Sequence, residues 1–342
     1  MKKIRILSID GGGIRGILPG IIIDRLEKKL QKLEGKDKRI SDYFDFFAGT
    51  STGGILILAY LLPDQNKRPK LTAEEAVDIY LKKGDKIFEV NLWQEIKTLK
   101  GTIDEKYDAA ELEMALTETF GETTLSELLK PCIVCSYDIK EGKPHFFKQH
   151  RANNDIHNFT AKDVARATSA APTYFENSRV KNKVDTPFSL IDGGVFVNNP
   201  SLVAYSEVRT MNFAGYEKSP TAKDMVLISI GTGSESKGYD YDVAKDWGAI
   251  GWIKPVIEIM MSGNSKTVDY HLKQMFKTLD TLEEQNNYHR LEPKCLTASI
   301  EMDDASLENM QKLKDDALTY IAQDDIDKEL DKIVDKLIKN QQ

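Results

Sequence analysis

Gly49-Thr50-Ser51-Thr52-Gly53 sets a hydroxyl between two glycines in the G-x-S-x-G spacing of a nucleophile elbow. A turn that tight leaves no room for side chains at its flanks, hence glycine at both ends. The bend lifts the serine off the end of a strand and onto the start of a helix, where unpaired N–H groups and the helix dipole favour developing negative charge. A glycine-rich turn with a helix-capping serine is the other reading of the same five residues. A second cluster, Asp10-Gly11-Gly12-Gly13-Ile14-Arg15-Gly16, lets main-chain amides converge on an anion. As an oxyanion hole, it would hold charge on an acyl carbonyl oxygen. As G-x-G-x-x-G, Gly11, Gly13 and Gly16 would make the chain a nucleotide-binding module. That second reading wants an acidic residue ending the next strand. The next strand runs into Ala48-Gly49 instead, so the oxyanion hole is favoured. No G-x-x-x-x-G-K-[ST] occurs, which rules out a P-loop. Arg15 could steer an anionic headgroup or stand in a surface salt bridge.

A serine nucleophile needs a base. The histidines are His145, His150, His157, His271 and His289, and none stands in a glycine-rich turn. The order Ser51, Asp192, then His271 or His289 would allow a triad, but both histidines lie in polar segments that read as solvated surface. Asp192 closes an apolar run just before Gly193-Gly194, where the loops of an open α/β sheet converge. A partly desolvated aspartate could take the serine proton directly; Asp-Gly is equally ordinary turn chemistry. Cys132 and Cys135 are three apart on a strand, so they face opposite ways and cannot share a metal; they read as core. Met260 and Met261, with Trp252, Ile253, Val256 and Ile257, form an apolar helical face that also reads as core.

The elements that must position these residues are legible in outline. Ile4 to Ile9 reads as a buried strand feeding the first glycine cluster, and Leu18, Ile22, Leu26, Leu30 and Leu33 follow at helical spacing. Phe44 to Ala48 predicts a second strand, and Ile55 to Leu62 a helix stopped by Pro63. Two strand–glycine turn–helix units within about sixty residues imply βαβ topology and a parallel sheet. Further helices are expected over 73–83, 109–120 and 161–168, strands over 132–138, 145–148, 188–191 and 225–230, and a helical tail from Ala305. The segment Asp85–Tyr107 is irregular and carries Phe88 and Trp93, as a flap over a site would.

Composition narrows the class. The 342 residues hold 47 basic and 54 acidic side chains, a net charge of −7, with 41% hydrophobic residues. That is a foldable, acidic chain, which argues against nucleic acid as a partner. Three cysteines cannot make a disulfide framework, pointing to a reducing compartment. Arg5 and Asp10 interrupt the first apolar run, so no secretory leader is expected. The expectation is a soluble cytoplasmic protein of one domain.

Four ordered segments resemble the patatin-like phospholipases, lipid acyl hydrolases with a Ser–Asp dyad. They are Ile9 to Gly16, Gly49 to Gly54, Ala167 to Phe175 with its Pro172, and Asp192-Gly193-Gly194, where plant members tend to have alanine third. The resemblance runs from residue 4 to 233, more loosely through Tyr288–Leu291, with a helical C-terminal extension over 243–342. It implies a three-layer α/β/α fold around a central, mostly parallel sheet. It implies Ser51 as the acyl-accepting nucleophile, Asp192 as its general base, and an oxyanion hole from Gly11, Gly12, Gly13 and Thr52. Gly16, Gly49, Gly53, Gly193 and Gly194 are then the structural glycines of those motifs. No cofactor or metal is called for. The partner would be a phospholipid or other acyl lipid, met by peripheral contact with a membrane. Some members are nucleotide-activated effectors of bacterial antiphage defence, an alternative biology for the same chemistry, and a storage or scaffold protein with a vestigial site is another.

Overall fold

The structure, a computed structural model, describes residues 2–87, 109–216, 219–233 and 238–340. Its strands are β1 (Ile4–Ile9), β2 (Phe46–Thr50), β3 (Cys132–Asp138), β4 (Lys143–Lys148), β5 (Ser178–Lys181), β6 (Pro187–Asp192), β7 (Met225–Ile230) and β8 (Tyr288–Leu291). They form one sheet in the order β5-β6-β3-β2-β1-β7-β8, with β4 paired to β3. The run from β3 through β2, β1 and β7 to β8 is parallel; β4, β5 and β6 pair antiparallel.

β1 is Ile-Arg-Ile-Leu-Ser-Ile and is buried at every position, as a strand covered on both faces must be. Ile4 and Ile6, with Phe46, Ala48 and Leu227, pack on Ala204, Leu272 and Phe276 of the helices Ser201–Val208 and Ala249–Lys277. Leu7, Ile9, Phe47 and Ile228 face the other way, toward α1 (Ile17–Glu34), α2 (Thr52–Leu61) and α3 (Ala73–Ile87). The C-terminal helices Leu307–Ile321 and Asp324–Lys339 join that second layer through Leu313, Ala317, Leu330 and Ile333. The result is the expected three-layer α/β/α arrangement.

Several expectations shift. The second strand begins at Phe46, two residues later than Phe44, and α2 already starts at Thr52. The short strands β5 and β8 had no clear apolar signature. His289 is not on the surface: it lies on β8 at 4% exposure, with Nδ1 2.6 Å from Glu329 Oε1 and Nε2 3.2 Å from Lys336 Nζ. The apolar face of residues 252–261 is not core on its outer side, where Trp252, Val256 and Met260 are exposed. The expected flap falls mostly on residues 88–108, outside the described residues; Asp85 belongs to α3.

One feature of the sheet decides the site. β4 occupies one edge of β3 from Ile133 to Asp138, so the other two partners share the opposite edge. β2 takes it up to the pair Thr50–Cys135 and β6 takes it from the pair Asp192–Ser136. β2 and β6 run toward each other along that edge and stop at adjacent positions. The residue after β2 is Ser51, and the last of β6 is Asp192.

Candidate active site

Ser51 stands between β2 and α2 at φ 54° and ψ −125°. A side-chain-bearing residue held there costs on the order of 1–3 kcal/mol and persists only where its surroundings over-determine it. Two features do so. A Cβ on Gly49 would lie 2.5 Å from the carbonyl oxygen of Gly53, so the turn closes only because that position is bare. The Ser51 amide also donates to Thr168 Oγ1 at 2.8 Å, and the Thr168 hydroxyl donates to the Cys135 carbonyl at 2.6 Å, tying the elbow to β3. Thr168 lies inside a segment quoted for the resemblance, but nothing in the sequence marked its hydroxyl as the anchor.

Asp192 is buried at 4% exposure. Its Oδ1 accepts from the Gly194 amide at 2.7 Å, and the Ser51 hydroxyl stands close enough to the carboxylate to favour its charged form. Burial pushes its pKa up from 3.8 to about 6; the nearby Ser51 hydroxyl and the Gly194 amide oppose that rise without cancelling it. The two side chains expected to meet therefore line one cavity, and the carboxyl among them is more basic than an ordinary aspartate.

The glycine loop is held by its carbonyls. Gly11 O accepts from Thr232 Oγ1 at 2.6 Å and from Asn198 Nδ2 at 3.3 Å. Gly12 O accepts from the Arg15 amide at 3.2 Å and from Arg15 Nε at 3.3 Å. In a trans peptide the N–H points opposite to the preceding C=O. Fixing these two carbonyls aims the amides of Gly12 and Gly13 the other way, and neither has an acceptor among the described residues. Gly13 adopts φ +59°, and a Cβ there would lie 2.2 Å from Met302 O. Two expectations are corrected. The Gly11 amide is committed to Asn198 O at 3.0 Å and cannot serve an oxyanion. Arg15 is buried at 8% exposure, neither in a surface salt bridge nor reaching out to a headgroup; its geometry supports fixing the loop. The loop's start was also underread: Asp10 takes both Nη donors of Arg290, at 2.9 and 2.7 Å, a contact between residues 280 positions apart.

Ser51, Thr52, Asp192, Gly13 and Gly194 all open onto one cavity of roughly 850 Å³, mouth included. Its walls are apolar, with Ile55, Leu116, Phe175, Val195 and Met261 among them. Thr52 is the first residue of α2, so its amide is one of the helix's unpaired donors. Among the described residues no group of three or more His, Cys, Asp or Glu could hold a metal ion. Cys132 and Cys135 are buried and free.

Comparison with known proteins finds relatives along most of the chain. Residues 7–205 match the family model for patatin-like phospholipase. Patatin-like protein 2 of Oryza sativa subsp. indica is 37% identical over 92% of this chain and 82% of its own length. Patatin-17 of Solanum cardiophyllum is 35% identical over 91% and 82%. "Probable inactive patatin-3-Kuras 1" of Solanum tuberosum is 36% identical over 90% and 84%, so identity at this level does not by itself carry activity. Among solved structures, VipD from Legionella pneumophila covers 94% of this chain and 67% of its own at 11% identity and a TM-score of 0.36, too loose a likeness to argue from. The family-model match and the identities along nearly the whole chain lead to one conclusion: this chain belongs to the patatin-like phospholipase family, a family of lipid acyl hydrolases.

Proposed function

We propose that the chain is a phospholipase A-type lipid acyl hydrolase in which Ser51 is the nucleophile and Asp192 its general base. The observation that carries this reading is that Ser51, on the turn after β2, and the buried Asp192, at the end of β6, meet on one edge of β3 and open onto one cavity, with the carboxyl raised to about 6. An aspartate of ordinary acidity would be a poor proton acceptor; one near 6 is ionised at neutral pH yet basic enough to help.

The reaction runs in two halves. Ser51 Oγ attacks the acyl carbonyl carbon while its proton passes to Asp192. The carbonyl π pair moves onto oxygen, where the amides of Gly12, Gly13 and Thr52 receive it, each worth roughly 3 kcal/mol to the transition state. Collapse breaks the bond to the leaving alcohol oxygen, which takes the proton back from Asp192. Water then attacks the acyl-Ser51 ester and gives a proton to Asp192; collapse breaks the bond to Ser51 Oγ, which takes that proton back, and the fatty acid leaves. The apolar cavity suits the acyl chain, whose burial is favourable by about 0.8 kcal/mol per methylene. No histidine is needed: His289 is engaged with Glu329 and Lys336. Because such substrates reside in lipid surfaces, peripheral membrane contact is part of this proposal.

A fluorophosphonate probe followed by profiling of the released lipids tests it. The label is expected on Ser51, and Ser51→Ala should lose labelling and ester hydrolysis while melting as the parent does. A folded Ser51→Ala protein with full turnover ends the reading.

A further inference from the structure

The helix Ala249–Lys277 presents apolar side chains in two opposite directions over its first half. Ile257 and Met261 line the catalytic cavity. Trp252, Val256, Ile259 and Met260 are turned outward and are 41%, 42%, 45% and 47% exposed. Their spacing, i, i+4, i+7 and i+8, makes one stripe of a helix. In the second half of the same helix Val268, Leu272 and Phe276 are in the core, and the outward side is mixed, with Lys266 and Lys273 beside the exposed Tyr270 and Met275. The preceding chain extends the patch. Tyr241 and Val243 are exposed, and the Trp247 ring packs edge-on against Tyr239 and Trp252 with centroids 4.9 and 5.0 Å away.

We propose that this outer stripe, with the aromatic cluster beside it, docks on the uncharged surface of a lipid bilayer. Three observations select that occupant. An apolar face on a helix otherwise packed into the protein is out of place in water. Tryptophan and tyrosine, each an apolar ring with one polar handle, are the side chains that settle at a membrane interface. The stripe itself carries no cation, so contact rests on apolar burial and needs no anionic lipid. Val256 and Met260 are also the sequence neighbours of Ile257 and Met261, so lipid on one side of the helix lies one helix width from the cavity on the other. The inference rests on the proposal that this cavity takes acyl lipids.

The test separates the two. Ser51→Ala protein, which would leave vesicles intact, is floated with pure phosphatidylcholine vesicles at low and high salt. It should float with them, with less than about twofold change on raising the salt. Adding Trp252→Glu and Ile259→Glu should cut flotation at least about tenfold. In the Ser51 background, the same two substitutions should leave hydrolysis of a short water-soluble ester within about twofold while lowering vesicle hydrolysis about tenfold. Retained soluble-ester turnover certifies the fold of the variant. Three results overturn the proposal: no flotation, flotation that needs anionic lipid and fades with salt, or a dimer that the face variant dissolves with no effect on vesicles. If the Ser51 protein fails on soluble ester, the catalytic reading falls, and flotation still decides the docking face.

Discussion

Replacing Asp192 with asparagine should inactivate the protein and stabilise it at once. The carboxyl is held at about 6 against an ordinary 3.8, with burial the largest cause and the nearby Ser51 hydroxyl and Gly194 amide opposing it. Because the folded value is the higher one, the folded state binds the proton more tightly. That contribution is present in full below pH 3.8 and is lost as the pH rises through about 6. At about 1.4 kcal/mol per pH unit, keeping the carboxylate ionised costs the native protein about 3 kcal/mol at pH 8, of which about 1 kcal/mol has been lost by pH 4.5. Asparagine never ionises. Its Oδ1 can keep the Gly194 bond and its Nδ2 can donate to Ser51 Oγ, so no buried polar group is orphaned. Urea unfolding of both proteins at pH 4.5 and pH 8 is the assay. The stability gap in favour of Asp192→Asn should widen by about 2 kcal/mol between the two, and differencing cancels every group the substitution leaves alone. A gap that stays constant, or that narrows toward pH 8, would refute the claim that Asp192 is held ionised against its own desolvation, and the general-base role would lose its footing.

Other outcomes follow from the same geometry. On a soluble ester, kcat/KM should fall about tenfold per pH unit below about 6 and level off above it, since the base must be unprotonated; a profile still flat at pH 5 would contradict this. Thr168→Val strips the hydroxyl from the Ser51 amide and the Cys135 carbonyl, and should cost about 1–3 kcal/mol in unfolding experiments. It should also lower kcat at least about tenfold with KM nearly unchanged, and Thr168→Ser should restore both. His289→Ala should leave turnover within about twofold of the parent while lowering stability by about 2–3 kcal/mol, because Glu329 and Lys336 lose their shared partner. Turnover lost as completely as in Ser51→Ala would instead put His289 in the reaction.

The local parts of the site were legible because their causes are local. A hydroxyl on a bend with glycines at its flanks can be recognised without knowing what lies beyond it, and so can a glycine loop at the end of a largely apolar strand. Strands buried on both faces advertise themselves as largely apolar runs, so β1 and β7 were readable and the sheet with them. The edge strands β5 and β8 were not, since pairing rather than residue type makes them strands. Burial misled in both directions. His289 looked like surface and is inside because the helix Asp324–Lys339 covers it with Glu329 and Lys336. Trp252 and Met260 looked like core and are outside, because the first half of their helix spends only one face on the protein.

What sequence by itself determined is which residues were candidates for the chemistry: a serine in an elbow, an aspartate at a strand end, a loop of amides. What only the tertiary structure decided is that they form one site. Ser51 and Asp192 are far apart along the chain and meet because β2 and β6 run head to head on the same edge of β3. Which amides are free was decided in the same way, by Thr232, Asn198 and Arg15 taking the carbonyls and by Asn198 taking the Gly11 N–H. A basicity such as that of Asp192 has no existence in the sequence at all. Its cause is the removal of water from around a carboxylate, and water is removed only when the whole chain has closed over it.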